Sequence, residues 1–353
     1  MFRFLHSIFA TAPNPPGKLD AALIKAAIER VVDGTDPRLR AVPHYQRKLW
    51  EPVERAVDYV VEHAATLPPA IAFGRRNFTT DPRLRALFAN PDQLLDILSL
   101  SPTQRDLLQP TIGAPPTEIY AALRMERTEK TVFGVELHGD QVLRDIQQTA
   151  VNFHNHQIAF PAASEAETRL ELQKRAFDYL IEAALQRLLS MRARKHQLEQ
   201  QQRRLLQHKA QVLKSARLGL EPLVEHPVAP RPPDRTTIER QFQEIETELR
   251  RIHADSATIG EQLALVAATL REPGRYLQLE RISLTLDHMN IQVPAHSPRA
   301  ANTLTFDEVL LENHRFVVLL VRFSSSEIPP PTDFFEEAQR FLNVNGGPRL
   351  TTI

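Results

Sequence analysis

The sequence contains no cysteine and few glycines, and each absence removes a class of site. Of its 353 residues, none is cysteine and 11 are glycine. Without thiols the chain has no disulfide, no cysteine nucleophile and no thiolate metal site. The scarce glycines form no glycine-rich loop of the kind that cradles phosphate groups. No motif indicates a cofactor.

The chain also lacks a charge excess and a long apolar run. Its 43 basic residues equal its 43 acidic residues, so binding to nucleic acid or to an acidic membrane would have to rest on a local patch. No stretch approaches the ~20 apolar residues of a membrane-spanning helix. The apolar start is interrupted by His6 and Ser7 and is shorter than a secretory signal. We therefore expect a cytoplasmic protein without a transmembrane segment.

Two long tracts with heptad patterns, separated by prolines, are the most informative feature of the chain. In the first tract the residues at every seventh position are Leu170, Phe177, Ala184, Met191, Leu198, Leu205 and Val212. In the second, apolar residues step alternately by four and three, as a coiled-coil seam requires, with one serine as the exception. Its seam positions are Ile238, Phe242, Ile245, Leu249, Ile252, Ser256, Ile259, Leu263, Val266 and Leu270. The patterns predict an antiparallel coiled-coil hairpin.

Prolines and strand patterns set the predicted boundaries of this hairpin. Five prolines between the tracts predict an extended tip loop at residues 218–236, because proline breaks a helix. We predict an α+β fold with a mostly helical N-terminal region at residues 1–130. A mixed or antiparallel β domain is predicted from residues 131–163 plus 273–353. The coiled-coil hairpin, residues 164–272, is predicted to be inserted into that β domain.

Several local predictions follow from the same patterns. Residues 116–129 are predicted to be helical, and a short helix is predicted at residues 332–342. The continuous apolar run Val317–Val321 predicts a strand buried on both faces. Because a helical hairpin returns the chain to its starting point, we expect the strands at residues 151–160 and 276–286 to lie close together, where they could pair antiparallel.

One heptapeptide occurs twice, at Thr35–Ala41 and at Thr80–Ala86. Both copies read Thr-Asp-Pro-Arg-Leu-Arg-Ala. A duplicated anion site built on the arginine pairs is one interpretation. We favour a helix start, because Thr or Asp caps the first N–H groups and Pro suits the first helical position.

The arms of the predicted hairpin carry unequal charge. Between Arg192 and Arg217 the ascending arm has one acid, Glu199, and the basic residues Arg192, Arg194, Lys195, Arg203, Arg204, Lys209, Lys214 and Arg217. The descending arm is acidic, so the two arms can pair, and flanking charges of this kind select an antiparallel partner. The alternative is that the basic surplus binds RNA, DNA or an acidic protein. The segment 192–235 has no aromatic residue, which argues against stacking on single-stranded bases.

Histidines provide the second candidate site. In a strand, alternation places His154 and His156 on one face, and His138 lies nearby in the predicted hairpin. With a third ligand, His138 or Glu136, they could hold Zn²⁺ as in an open catalytic site. The alternative is a solvated sheet face that happens to carry histidines, and it needs no metal.

Together these patterns favour a non-enzymatic protein–protein interaction or scaffold protein. Its coiled-coil arm would hold the proline-rich tip away from the base and present it to a protein partner whose identity the sequence does not give. The same seam shared between chains would instead give a homodimer. A nucleic-acid-binding protein that uses the basic arm is the first alternative, and a metal-dependent hydrolase at the histidines is the second.

Overall fold

The chain forms a mixed α+β fold that divides into two compact units. A computed structural model describes residues 21–100, 108, 116–138, 141–217, 239–248, 259–294, 299–312 and 314–329, and the side chains of 136–138, 141–143 and 211–217 are outside that description. One unit, here the helical unit, combines the chain up to Tyr59 with Phe177–Pro273. The other, the sheet unit, combines Val60–Ala176 with the chain from Gly274 onward.

The helical unit is built from amphipathic helices. Its elements are α1 (Ala21–Gly34), a 3₁₀ turn (Pro37–Ala41), most of α2 (Tyr45–Thr66), most of α6 (Glu165–Arg217), α7 (residues 239–248) and α8 (Ile259–Arg271). Each packed helix buries a stripe of apolar residues three or four positions apart, such as Ile24, Ile28 and Val31 in α1. The base of α6 buries Leu180, Ala184 and Leu188 in the same way. The division between the units falls inside α2 and α6.

The sheet unit contains short helices and an antiparallel sheet that curls on itself. Its elements are β1 (Ile71–Ala72), α3 (Arg75–Phe78), α4 (Pro82–Leu87), α5 (Pro91–Asp96), β2 (Glu118–His138), β3 (Gln141–Ala162), β4 (Leu277–Leu286), β5 (Asn302–Leu311) and β6 (Arg315–Ser324). The strand order is β3-β2-β6-β5-β4, and β1 pairs in parallel with the end of β6. Apolar residues from all the long strands and the short helices form one core.

The predicted pairing of the strands at residues 151–160 and 276–286 is wrong, although the two strands are connected. β3 and β4 lie at opposite ends of the strand order. The short segment that follows β4 joins them: Ile291 bridges to Ala150 of β3, and Gln292 bridges to Leu286 of β4. The sheet curls so far that its two edge strands, β3 and β4, both contact the segment at residues 291–292. The two strands are therefore connected through this segment and do not pair directly.

The helix predicted at residues 116–129 is also wrong, because this segment is the first half of β2. Its core residues Ile119, Ala121, Leu123 and Met125 alternate with a period of two, as in a strand with one face on the core, and Ala122 is buried as well. Alanine, methionine and glutamate favour helix locally, but the segment pairs with both β6 and β3. Pairing on both edges overrides the weak local preference.

Other predictions are confirmed. The segment Val317–Val321 lies in β6 and is buried throughout. Both copies of the repeated heptapeptide start a helical segment: Asp36 and Asp81 each accept a hydrogen bond from the backbone N–H two residues on. The tip loop at residues 218–236 and the helix at residues 332–342 lie outside the described residues.

Candidate functional site

The exposed continuation of α6 is the part of the helical unit that most resembles a binding surface. Beyond its buried base, α6 continues as an unbroken helix to Arg217. Between Arg192 and Ala210, Leu198 is the one buried side chain. Leu206 is 47 % exposed. A helix so little buried depends on a neighbouring segment or on a partner for its stability.

α7 lies antiparallel to this exposed part of α6. Arg194 is 3.9 Å from Glu248, and Lys209 is 3.7 Å from Glu239. The later residue of α6 thus contacts the earlier residue of α7, which defines an antiparallel pair. In the sequence, both pairs span the proline-rich segment that lies between the two helices. These distances describe loose surface ion pairs, which contribute about 0–1 kcal/mol each. They guide the orientation of the arms more than they stabilise them, and the coiled-coil seam itself stays a prediction.

The predicted basic residues differ in their surroundings. Arg203 and Arg204 are exposed and form no ion pair with any described residue, whereas Arg194 and Lys209 face α7 and Lys195 is half-buried. Lys214 and Arg217 belong to α6, but their side chains lie outside the described part of the chain. Arg192 differs from the others because its contacts lie within the base of the helical unit.

Arg192 is held by the first copy of the repeated heptapeptide. Its guanidinium donates to a carboxylate oxygen of Asp36 at 2.5 Å and to the side-chain oxygen of Gln262 at 2.8 Å. Asp36 is buried and also accepts from the backbone N–H and the guanidinium of Arg38. Hydrogen bonds from Arg38, together with Arg192, outweigh burial and hold the pKa of Asp36 well below its usual value. Arg192 therefore anchors the base of the arm.

The two histidines of β3 do not share a face, contrary to the alternation argument. Glu126 pairs with His154, and Arg124 pairs with Gln157, so β3 carries an extra residue between these pairs. The extra residue forms a bulge at Asn155, whose φ is 55°. The bulge reverses the alternation, so that His154 lies beside Glu126 at 3.8 Å while His156 contacts the core.

His156 occupies an apolar environment. Its ring stacks against Phe88, which directly follows α4, with a centroid distance of 4.5 Å. Its Nε2 atom is buried and has no partner among the described residues. Burial lowers the pKa of His156 below its usual value, because the charged imidazolium is disfavoured in apolar surroundings.

The histidine metal site stays a prediction. The side chain of His138 is outside the described residues, and the described residues contain no cluster of three or more histidines and acids that could hold a metal ion. His154 and His156 point to different sides of β3. The side chains of Glu136 and His138, the alternatives for the third ligand, lie outside the described part of the chain.

An exposed apolar patch in the sheet unit was missed by the sequence patterns. Phe133 of β2 is 75 % exposed and Met289 is 70 % exposed, and both line one cavity with Val135. Arg299 lies in the same cavity and donates to the carbonyl of Val135. Exposed apolar patches of this kind are typical of protein interaction surfaces. The sequence placed residues 131–137 in the predicted β domain but did not indicate which face of the strand would stay exposed.

Comparisons with known proteins do not assign a class to this chain. No protein-family model matches it, and neither do any curated protein or solved structure. Within the described residues, none of the helices combines the length and the apolar character needed to cross a membrane.

Proposed function

We propose that this chain is a non-enzymatic interaction protein that binds an acidic surface of a partner protein through the exposed part of α6. Arg203 and Arg204 carry this proposal, because they are exposed, adjacent and without an acidic partner among the described residues. Two adjacent guanidinium groups that face no described acid are ready donors for partner carboxylates.

The exposed leucine beside these arginines favours a protein partner over nucleic acid. Leu206 lies three residues after Arg203, so both side chains share one helix face. Protein interfaces combine apolar residues with arginine. An exposed leucine does not contribute to phosphate recognition, because nucleic-acid binding rests chiefly on charge.

A matched pair of charge reversals tests the proposal. The double variant R203E/R204E reverses the arm, and the control R47E/R55E makes the same change in net charge at exposed positions of α2. The full-length chains would be used to capture partners from cells, and each recovered protein would then be purified. We expect binding by one purified partner to weaken about tenfold or more in the arm variant and to stay unchanged in the control.

Two outcomes would contradict this proposal. If both variants bind every recovered partner as the wild-type chain does, the arm is not the binding surface. If nuclease treatment abolishes capture, and the purified chain binds a mixed-sequence duplex or RNA at low salt, the basic arm binds nucleic acid instead.

The remaining hypotheses have separate tests. A homodimer through a shared seam predicts twice the monomer mass by light scattering, lost on deletion of residues 191–270. The metal-dependent hydrolase at His138, His154 and His156 predicts bound zinc by elemental analysis and higher stability on adding Zn²⁺.

A further inference from the structure

In the sheet unit, one edge of β6 pairs first with β5 and then, further along, with β1. β2 pairs along β6 from Val317 to Ser324. On the opposite edge, β5 pairs with β6 only as far as Val318, and β1 pairs from Val321 onward. The sheet therefore splits at this point, and we call the gap between β1 and residues 302–306 of β5 the fork.

The inner edge of β5 at the fork has backbone groups without a strand partner. Residues 302–306 pair with β4 on one side, and no described residue pairs with them on the other. At the far end of β5 the N–H of Leu311 donates to His314, so the backbone groups of Leu311 point toward β6. Backbone direction alternates along a strand, so Thr303 and Thr305 point the same way, into the fork.

The fork is large enough to hold a segment of chain. It is a cavity of about 570 Å³ between Thr303–Thr305 on one side and Ala72, Asn77 and Thr80 on the other. Asp81 and Arg83 also line the fork and neutralise each other, with an N–O distance of 2.7 Å. The lining is thus polar and carries no net charge.

We propose that the fork binds an extended segment of a partner polypeptide, which adds to β5 as a strand. The unpaired N–H and C=O groups of Thr303 and Thr305 recur about 7 Å apart, which only another extended backbone can match residue for residue. The neutral, hydroxyl-rich lining suits small or polar uncharged side chains. This site is independent of the arm, because it lies in the sheet unit and uses backbone groups.

A proline at the edge of β5 gives a direct test. T305P removes the N–H that faces the fork and leaves the backbone groups that face β4 in place, while T305A keeps that N–H and removes the hydroxyl. The probe is a random seven-residue peptide library displayed on phage and selected on the full-length chain. We expect the enriched peptides, once synthesised, to bind T305A like wild type and T305P about tenfold more weakly.

A change in the peptide provides a second measurement that does not depend on the fold of the variant. N-methylation of alternate peptide bonds removes donors without changing side chains, and one of the two alternating sets should abolish binding to the wild-type chain. The R203E/R204E variant should bind the peptides with the affinity of the wild-type chain. This result would distinguish binding at the fork from binding at the exposed part of α6. The proposal is overturned if no peptide is enriched, if N-methylation has no effect, or if T305P instead abolishes a dimer of the chain.

Discussion

The two copies of the heptapeptide Thr-Asp-Pro-Arg-Leu-Arg-Ala have the same cap but different surroundings. Asp36 and Asp81 both accept from the backbone N–H two residues on and from the arginine at that position. In the helical unit, Asp36 additionally receives Arg192 from α6. In the sheet unit, Asp81 and Arg83 instead line the fork. Identical sequence thus specifies the same turn, and the tertiary partner decides what the turn does.

The largest difference between the copies is expected from removing the charge of each aspartate. Asparagine keeps the cap in both D36N and D81N, but D36N also removes the carboxylate that holds Arg192. We expect D36N to lower the free energy of unfolding by about 2 kcal/mol and D81N by about 1 kcal/mol. Urea unfolding of the wild-type chain and of both variants measures these free energies. Equal losses would mean that Arg192 contributes nothing at Asp36.

A smaller loss of stability is expected when Arg192 of α6 is replaced. R192A leaves Asp36 with its cap and with Arg38, and we expect a loss of about 1 kcal/mol. R194A is the matched control, because Arg194 is mostly exposed and lies 3.9 Å from Glu248. We expect the control to change stability by less than about 0.5 kcal/mol. A loss in R194A as large as in R192A would show that the helix, not the Asp36 contact, is responsible.

Acid should act on Asp36 and on His156 in different pH ranges. The pKa of Asp36 is lowered in the fold, so its stabilisation is present above its usual value of 3.8 and is lost as the pH falls below it. His156, whose ring packs against Phe88 just after the helix of the second copy, has its pKa lowered from 6.5 by burial. The unfolded chain then binds more protons, so stability falls as the pH drops below 6.5.

Thermal unfolding between pH 7 and pH 5 isolates the histidine contribution. H156Q should flatten the decline in this range, because it removes the imidazole whose pKa burial lowers. D36N should change the curve only at lower pH. A decline that persists in H156Q would show that another group titrates in this range.

Errors in the predicted fold came from contacts that a linear pattern does not contain. The segment at residues 116–129 was predicted to be a helix from its helix-favouring residues, yet strands on both edges make it β2. The predicted shared face of His154 and His156 failed because a bulge at Asn155 inserts one residue into β3. The fork was not predicted, since it depends on where β5 leaves β6.

The sequence by itself determined the elements whose causes are local. Proline after a capping aspartate started both repeated turns, and a long stretch without proline or glycine gave the 53-residue helix α6. Tertiary structure alone decided which arginine is held by Asp36, which histidine is buried, and that residues 302–306 of β5 pair with β4 but with no other described strand. These depend on residues far apart in the chain, and burial and strand pairing fix them only once the whole chain has folded.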